Sequence, residues 1–339
     1  MPDIMPPEQP VLRVEDLTVR FRRRGAEVAA VNGVSFTLAR GETLTILGES
    51  GSGKSVSLKA LMGLLPNYAA VEGGVWLDRR PMLELAPAEL ARLRGGEIAM
   101  IFQEPMAALD PVYTIGAQIA ETIVQHEGVG RRAAMQRALE LLERVKIPSA
   151  AWRLQSYPHE LSGGMRQRAM IALALACSPS VLLADEPTTA LDVSVQIQIL
   201  LLLRQLQQEL GMAIVFVTHD VGAAAEISDR IAVMYAGRFV ETATAREIMR
   251  SPRHPYTRGL LASTVHGGLR GRALETIPGA PPNLARFPPG CAFAPRCRYV
   301  TEVCTRGDIP VATSPTGATV RCVRADALIT TQATSEVSA

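Results

Sequence analysis

The chain has 339 residues, room for two domains or for one large and one small. Its 47% hydrophobic share and net charge of +2, from 35 basic and 33 acidic residues, exclude a wholly disordered chain and the global field of a general nucleic-acid binder. No apolar run approaches the ~18 residues of a transmembrane helix, and the proline-rich start is not a secretory signal, so a cytosolic location is expected.

Residues 11–19 and 28–36 read as strands, with Arg22, Arg23, Arg24 and Gly25 as the turn between them. The apolar run 42–47 ends in a glycine-rich loop, 48–53. A helix is expected over 55–65, closed by Pro66 and Asn67. Short strands follow within 75–110, one of them at 98–103. From about 111 to 176 apolar residues recur at helical spacing, which predicts helices over 115–125, 131–145 and 162–177. Alternation then resumes: strand 181–185, helix 194–210, strand 213–218, helix 221–227, and a hairpin of 230–235 with 238–241 around Ala236 and Gly237. This order predicts an α/β domain with a largely parallel sheet, interrupted by a helical insert.

Beyond 250 the texture changes. Residues 251–339 hold 10 arginines and 5 acids, a charge of +5, whereas the first 250 carry 25 basic and 28 acidic residues, or −3. Prolines recur and periodic stretches are few. Such a loop-rich region can bury little core of its own, so something else should staple it. Residues 326–339 read as a disordered tail.

The residues Gly48, Glu49, Ser50, Gly51, Ser52, Gly53, Lys54 and Ser55 fit the pattern G-x-x-x-x-G-K-[ST] between a strand and a helix. The glycines let successive backbone N–H groups turn toward phosphate oxygens, and the helix adds its positive end. Lys54 is placed to neutralise the β- and γ-phosphates of ATP, and Ser55 to ligate Mg²⁺. A buried strand ending in Asp185 and Glu186 supplies paired acids that are costly to bury without a use. Asp185 is placed to hold Mg²⁺, and Glu186 to polarise an attacking water. Cys177, in an apolar helix, reads as a core residue.

The run Leu161, Ser162, Gly163, Gly164 and Met165 resembles the signature sequence of ABC-type ATPases, a branch of the P-loop NTPases. Its glycines again expose N–H groups at a helix start. The resemblance implies that this second anion site meets the γ-phosphate of ATP held by another subunit, so that two nucleotides are sandwiched head to tail. It further implies roles for Phe21 (stacking on adenine), Gln103 (contact with Mg²⁺ and water), Ala190, Leu191 and Asp192 (the loop crossing between subunits) and His219 (orienting water with Glu186). A strand-end core position is the other reading of Phe21. Met165 stands where glutamine is commoner in that family, but the phosphate-binding amides remain. The implied fold is an ABC-type ATPase core over 11–250, with a helical subdomain at about 104–165 and an N-terminal antiparallel β subdomain. A small cysteine-containing C-terminal region follows over 251–325.

The stretch 252–261, together with residues 102–106 and 109–111, resembles the oligopeptide/dipeptide importer branch. That implies an ATPase lying peripherally on the cytoplasmic face of the cell (inner) membrane. Its implied partners are two transmembrane permease subunits and a second ATPase subunit, paralogous or identical. An extracytoplasmic substrate-binding protein acts with them indirectly, and no nucleic acid is expected. The competing reading is a soluble ABC-type ATPase working on nucleic acid or the ribosome. Only 106 positions separate Lys54 from Glu160, too few for the long coiled coils of the repair members, and the chain carries one cassette rather than two.

Cys291, Cys297, Cys304 and Cys322 crowd into 32 residues as C-x₅-C-x₆-C-x₁₇-C. In a reducing compartment four such thiols argue against disulfides. They suit a [4Fe–4S] cluster, a tetrahedral Zn²⁺, or reduced free thiols, and the lack of C-x₂-C weighs against a zinc finger. The resemblance favours the [4Fe–4S] cluster. Arg296, Arg298 and Arg321 are expected to offset thiolate charge.

Overall fold

The computed structural model describes residues 9–23, 26–263, 276–325 and 327. Chain order begins with strands β1 (Leu12–Arg23) and β2 (Ala26–Leu38), paired antiparallel out to Arg23 opposite Ala26. Arg22 and Arg23, expected in the turn, are therefore strand residues; Arg24 and Gly25 lie outside the described residues. The fully buried β3 (Thr43–Leu47) leads through the glycine-rich loop into α1 (Lys54–Leu61), which ends short of the expected 65. Next come β4 (Ala69–Leu77), β5 (Arg80–Pro81), α2 (Pro87–Leu93) and β6 (Ile98–Ile101). Strands β2, β1, β4 and β5, in that order, form a four-stranded antiparallel sheet.

The helical insert holds α3 (Pro105–Ala108), α4 (Ile115–Glu127), α5 (Arg131–Arg144) and α6 (Ala150–Arg153), and leads into α7 (Gly163–Ala174). Its sequence periodicity becomes packing. Ile115, Ile119 and Ile123 lie one turn apart on the buried face of α4, and Ala134, Ala138 and Leu142 do the same on α5. Thr114 caps α4 by accepting from the Ala117 amide.

Then follow β7 (Val181–Asp185), α8 (Val193–Leu210), β8 (Ala213–Thr218), α9 (Val221–Ile227), β9 (Arg230–Tyr235) and β10 (Arg238–Thr244). They belong to an eight-stranded sheet whose five neighbours β9, β3, β8, β7 and β6 are all parallel. Successive side chains point to opposite faces. Leu182, Ala184, Ile214 and Phe216 pack under the helical insert, while Val181, Leu183, Val215 and Val217 pack toward β1, β2 and α1.

Helix α10 (Ala245–Arg250) ends the ATPase core, and the C-terminal region opens with α11 (Pro255–Ala262) and holds β11 (Ala312–Thr313) and β12 (Thr319–Val320). Strand β12 pairs antiparallel with β10. Tyr256, Leu260, Phe293 and Ala318 share one core with Tyr235 and Val240 of the sheet. The region thus borrows its core from the ATPase sheet, and packing supplies much of the staple that its composition demanded. The tail expected at 326–339 lies outside the described residues, apart from Ala327.

Candidate active site

Because β3, β8, β7 and β6 run parallel, the loops at their C-terminal ends emerge along one edge. Their register brings the ends level: Leu47 lies opposite Thr218, Asp185 opposite Val217, and Ile101 opposite Ala184. The next residues on each strand are the phosphate loop, His219, Glu186 and, after one residue, Gln103. A cleft of about 720 Å³ opens there and is lined by Lys54, Ser55, Gln103, Glu186 and His219 among others.

The loop shape depends on its glycines. Gly53 has φ 108°, and a β-carbon there would stand 2.4 Å from the Ala30 carbonyl oxygen. Lys54 is buried, and its Nζ donates to the carbonyls of Gly48 (2.8 Å) and Glu49 (3.0 Å). Burial pushes its pKa down, against the opposing charges of Glu186 and Asp185. Ser55 Oγ donates to Asp185 Oδ1 at 2.7 Å. Burial raises the Asp185 pKa, with the Ser55 hydrogen bond acting the other way. A hydroxyl and a buried carboxylate converging beside a phosphate loop form an oxygen donor set that suits Mg²⁺.

Glu186 stands at the centre. Its Oε1 lies 3.6 Å from Lys54 Nζ, and its Oε2 accepts from Thr189 Oγ1 (2.9 Å) and lies 3.0 Å from His219 Nδ1. Burial pushes the Glu186 carboxyl up, but the Thr189 and His219 hydrogen bonds with the His219 and Lys54 charges outweigh it, and the group sits below the usual carboxylate range. Its φ of 46° is a left-handed conformation rare for a side-chain-bearing residue, a local strain of the kind that clusters at functional sites.

Ser162, Gly163 and Gly164 are not among the cleft residues. Ser162 caps α7 by accepting from the Met165 amide, and Ser162 and Gly163 are exposed. The signature lies beside the loop 190–192: a β-carbon on Gly163 would meet Leu191 at 3.8 Å, and one on Gly164 would strike Val195 at 2.9 Å. Asp192 caps α8 through the Val195 amide. Phe21 is also absent from the cleft lining; its ring lies 6.0 Å from that of Tyr68. Sequence reasoning missed a further wall, Leu260, Ser263, Thr276 and Ile277 of the C-terminal region. No local motif announces it, because the wall is made by chain return.

The four cysteines line one small cavity together with His254 and Phe293, and none is disulfide-bonded. Burial raises the thiol pKa of Cys291, Cys297 and Cys322, that of Cys291 to about 11, and the neighbouring thiols reinforce it. All-sulfur donors suit iron–sulfur or zinc chemistry, but no group of three or more His, Cys, Asp or Glu among the described residues is placed to hold a metal ion. Cys304 Sγ pairs instead with Thr301 Oγ1 at 3.4 Å, and Cys322 Sγ accepts from the Arg324 amide. Arg296, expected to offset thiolate charge, turns away to Glu49, and Arg321 donates to the Ile309 carbonyl.

A phosphate loop, a paired acid and a histidine at the ends of parallel strands, with a second glycine-rich helix start beside the loop 190–192 and outside that cleft, form the arrangement of an ABC-type ATPase. Comparison with known proteins agrees. The ABC transporter family model matches residues 31–189, and the model described as oligopeptide/dipeptide transporter, C-terminal region, matches 240–304. A Brucella abortus (strain 2308) chain provisionally named a peptide import ATP-binding protein is 50% identical over 93% of this chain and 97% of its own length. The dipeptide transport ATP-binding protein DppD of Bacillus subtilis (strain 168) is 47% identical over 87% of this chain and 89% of its own. The oligopeptide transport ATP-binding protein OppD of Salmonella typhimurium (strain LT2) is 47% identical over 91% and 92%. Among solved structures, the dimeric ATP-binding cassette MJ0796 bound to ADP and Pi superposes with a TM-score of 0.63 at 30% identity, over 69% of this chain and 99% of that one. The chain belongs to the ABC transporter ATP-binding family, in its oligopeptide/dipeptide branch.

Proposed function

We propose that this chain hydrolyses ATP to energise import of di- or oligopeptides, or of related small solutes, from the cytoplasmic face of a membrane. One observation carries the chemistry: Glu186 stands between Lys54 (3.6 Å) and His219 (3.0 Å) above the phosphate loop. Bound Mg²⁺, held by Ser55, Gln103 and Asp185, would offset charge on the β- and γ-phosphate oxygens. Glu186 and His219 orient water in line with the γ-phosphorus, and Glu186 accepts its proton. Lys54 stabilises the charge spreading over the transferred phosphoryl group. Ser162, Gly163 and Gly164 of a second ATPase subunit complete the site from the far side, and Phe21 stacks on the adenine. Residues 190–192 lie against this signature and carry its position to the other nucleotide.

The peptide assignment rests on the names of the relatives, which also speak against a nucleic-acid or ribosomal role. No helix among the described residues is long and apolar enough to cross a membrane, which suits a peripheral subunit docked on two permease subunits. A substrate-binding protein would deliver the solute on the other side. The four thiols share one cavity without forming a metal-holding group as they stand; a [4Fe–4S] cluster is the reading their shared position favours, with zinc or reduced free thiols as the other outcomes. Iron, sulfide and zinc analysis after anaerobic purification decides between them, with about four irons per chain expected.

Reconstitution with the permease subunits tests the whole. ATP-dependent peptide uptake into vesicles is expected, and loss of that uptake in Glu186→Gln. Equal uptake by wild type and variant overturns the reading.

A further inference from the structure

Glu49 is the second residue of the phosphate loop, and three side chains hold it. Its backbone N–H donates to the Tyr256 hydroxyl (2.9 Å). Its carbonyl accepts from Lys54 (3.0 Å). Its carboxylate accepts from Arg296 Nη1 and Nη2, at 2.8 and 3.1 Å. Two of these three partners come from the C-terminal region, more than 200 positions away.

Both partners are themselves held. The Arg296 side chain is 6% exposed, its Nε donates to the Pro278 carbonyl (2.8 Å), and its Nη1 reaches the Tyr235 hydroxyl (3.3 Å). It ends the turn Ala294–Arg296, which lies between Cys291 and Cys297. That turn is tied to the third cysteine by the Cys291 amide donating to the Cys304 carbonyl (2.8 Å). Tyr256 is fully buried, with its ring 4.5 Å from Tyr235 and 5.4 Å from Phe293. A guanidinium fork on a carboxylate fixes direction as well as distance. Direction is what a phosphate loop needs, since its N–H groups bind only when they converge.

We propose that Arg296 and Tyr256 are positioning residues for ATP, through which the four-cysteine region sets the shape of the phosphate loop. This rests on the reading of residues 48–55 as the ATP site. Neither side chain touches the reacting atoms; both act through Glu49.

The test is a double-mutant cycle on the full chain, reading ATP·Mg²⁺ binding by calorimetry and KM and kcat by steady-state hydrolysis. Arg296→Ala is expected to weaken ATP binding about tenfold and to raise KM alike, with kcat changed far less. Adding Glu49→Gln to Arg296→Ala should cost nothing more, because the broken contact is shared. Arg296→Lys should recover part of the loss. Cys297→Ser should weaken ATP binding and add nothing to Arg296→Ala. Additive losses, or unchanged affinity in a folded Arg296→Ala protein, overturn the proposal. If that variant does not fold, Tyr256→Phe carries the test by deleting only the hydroxyl on the Glu49 amide, and unchanged ATP affinity there overturns it. A wild-type chain that binds no ATP overturns the nucleotide-site reading instead.

Discussion

Two regions meet at the phosphate loop, and they carry their chemistry in different ways. Along the edge of the parallel sheet, each working residue follows a strand end, so its place in space follows from its place in the sequence: Lys54 after β3, Glu186 after β7, His219 after β8. In the C-terminal region the two residues that reach the phosphate loop do so over long sequence distances. Arg296 matters for a carboxylate 247 positions away, and Tyr256 for an amide 207 positions away. On the proposed reading, the sheet edge places the groups that handle phosphate, and the return of the chain holds the loop on which they sit.

The sharpest way to break this contrast is Lys54→Ala. It removes the buried cation and its hydrogen bonds to the Gly48 and Glu49 carbonyls, and ATP affinity should fall on the order of a hundredfold. Affinity within threefold of wild type would show that the sheet edge is not where phosphate is held. Next comes Phe293→Ala. It empties the contact with Tyr235 and Tyr256 and should cost about 3 kcal/mol of stability by thermal or urea unfolding. A negligible change would mean that the C-terminal core is not shared with the sheet.

The strand ends were legible beforehand for physical reasons. Apolar runs as short as 181–185 and 213–218, set between helical stretches, read as buried strands, and acids at the end of one of them demand a use. The strands β7, β8 and β9 and the helix α9 have the bounds read from the sequence. Strand β4 was not resolved in advance because Gly73 and Gly74 interrupt its alternation. Strands β11 and β12 are two residues each, too short for any periodicity. Arg296 was noticed for the thiols on its flanks, and its partner Glu49 was hidden inside a motif where that position is unconstrained. Proximity in sequence pointed to the wrong neighbour.

Two smaller effects refine the contrast. Phe21 stands outside the cleft lining, whereas Leu260 and Ile277 are in it. If Phe21 carries the adenine, Phe21→Ala should raise the KM for ATP about fivefold, the worth of one aromatic stack. An unchanged KM, with a rise in Leu260→Ala, would move the adenine contact to the C-terminal wall. The smallest effect is expected at Glu247, which caps α10 through Thr244 and accepts from Thr316 of the C-terminal region. The Thr244 hydrogen bonds hold its pKa below the usual carboxylate value. A depressed carboxylate stabilises the fold above its unfolded pKa, and the contribution is lost as pH falls through the folded value. Glu247→Gln should therefore cost about 0.5 kcal/mol at pH 7, and the difference from wild type should vanish in acid, as unfolding curves across pH 2–7 would read. A constant difference across that range would assign the effect to shape rather than charge.

The central claim is that Glu186 acts on water held over the loop of Lys54. Pre-steady-state hydrolysis of ATP·Mg²⁺ by wild type and Glu186→Gln, with nucleotide binding measured on the same samples, tests it most directly. Binding should be equal, and cleavage in the variant slower by about a thousandfold. Cleavage at the wild-type rate in Glu186→Gln would contradict the account.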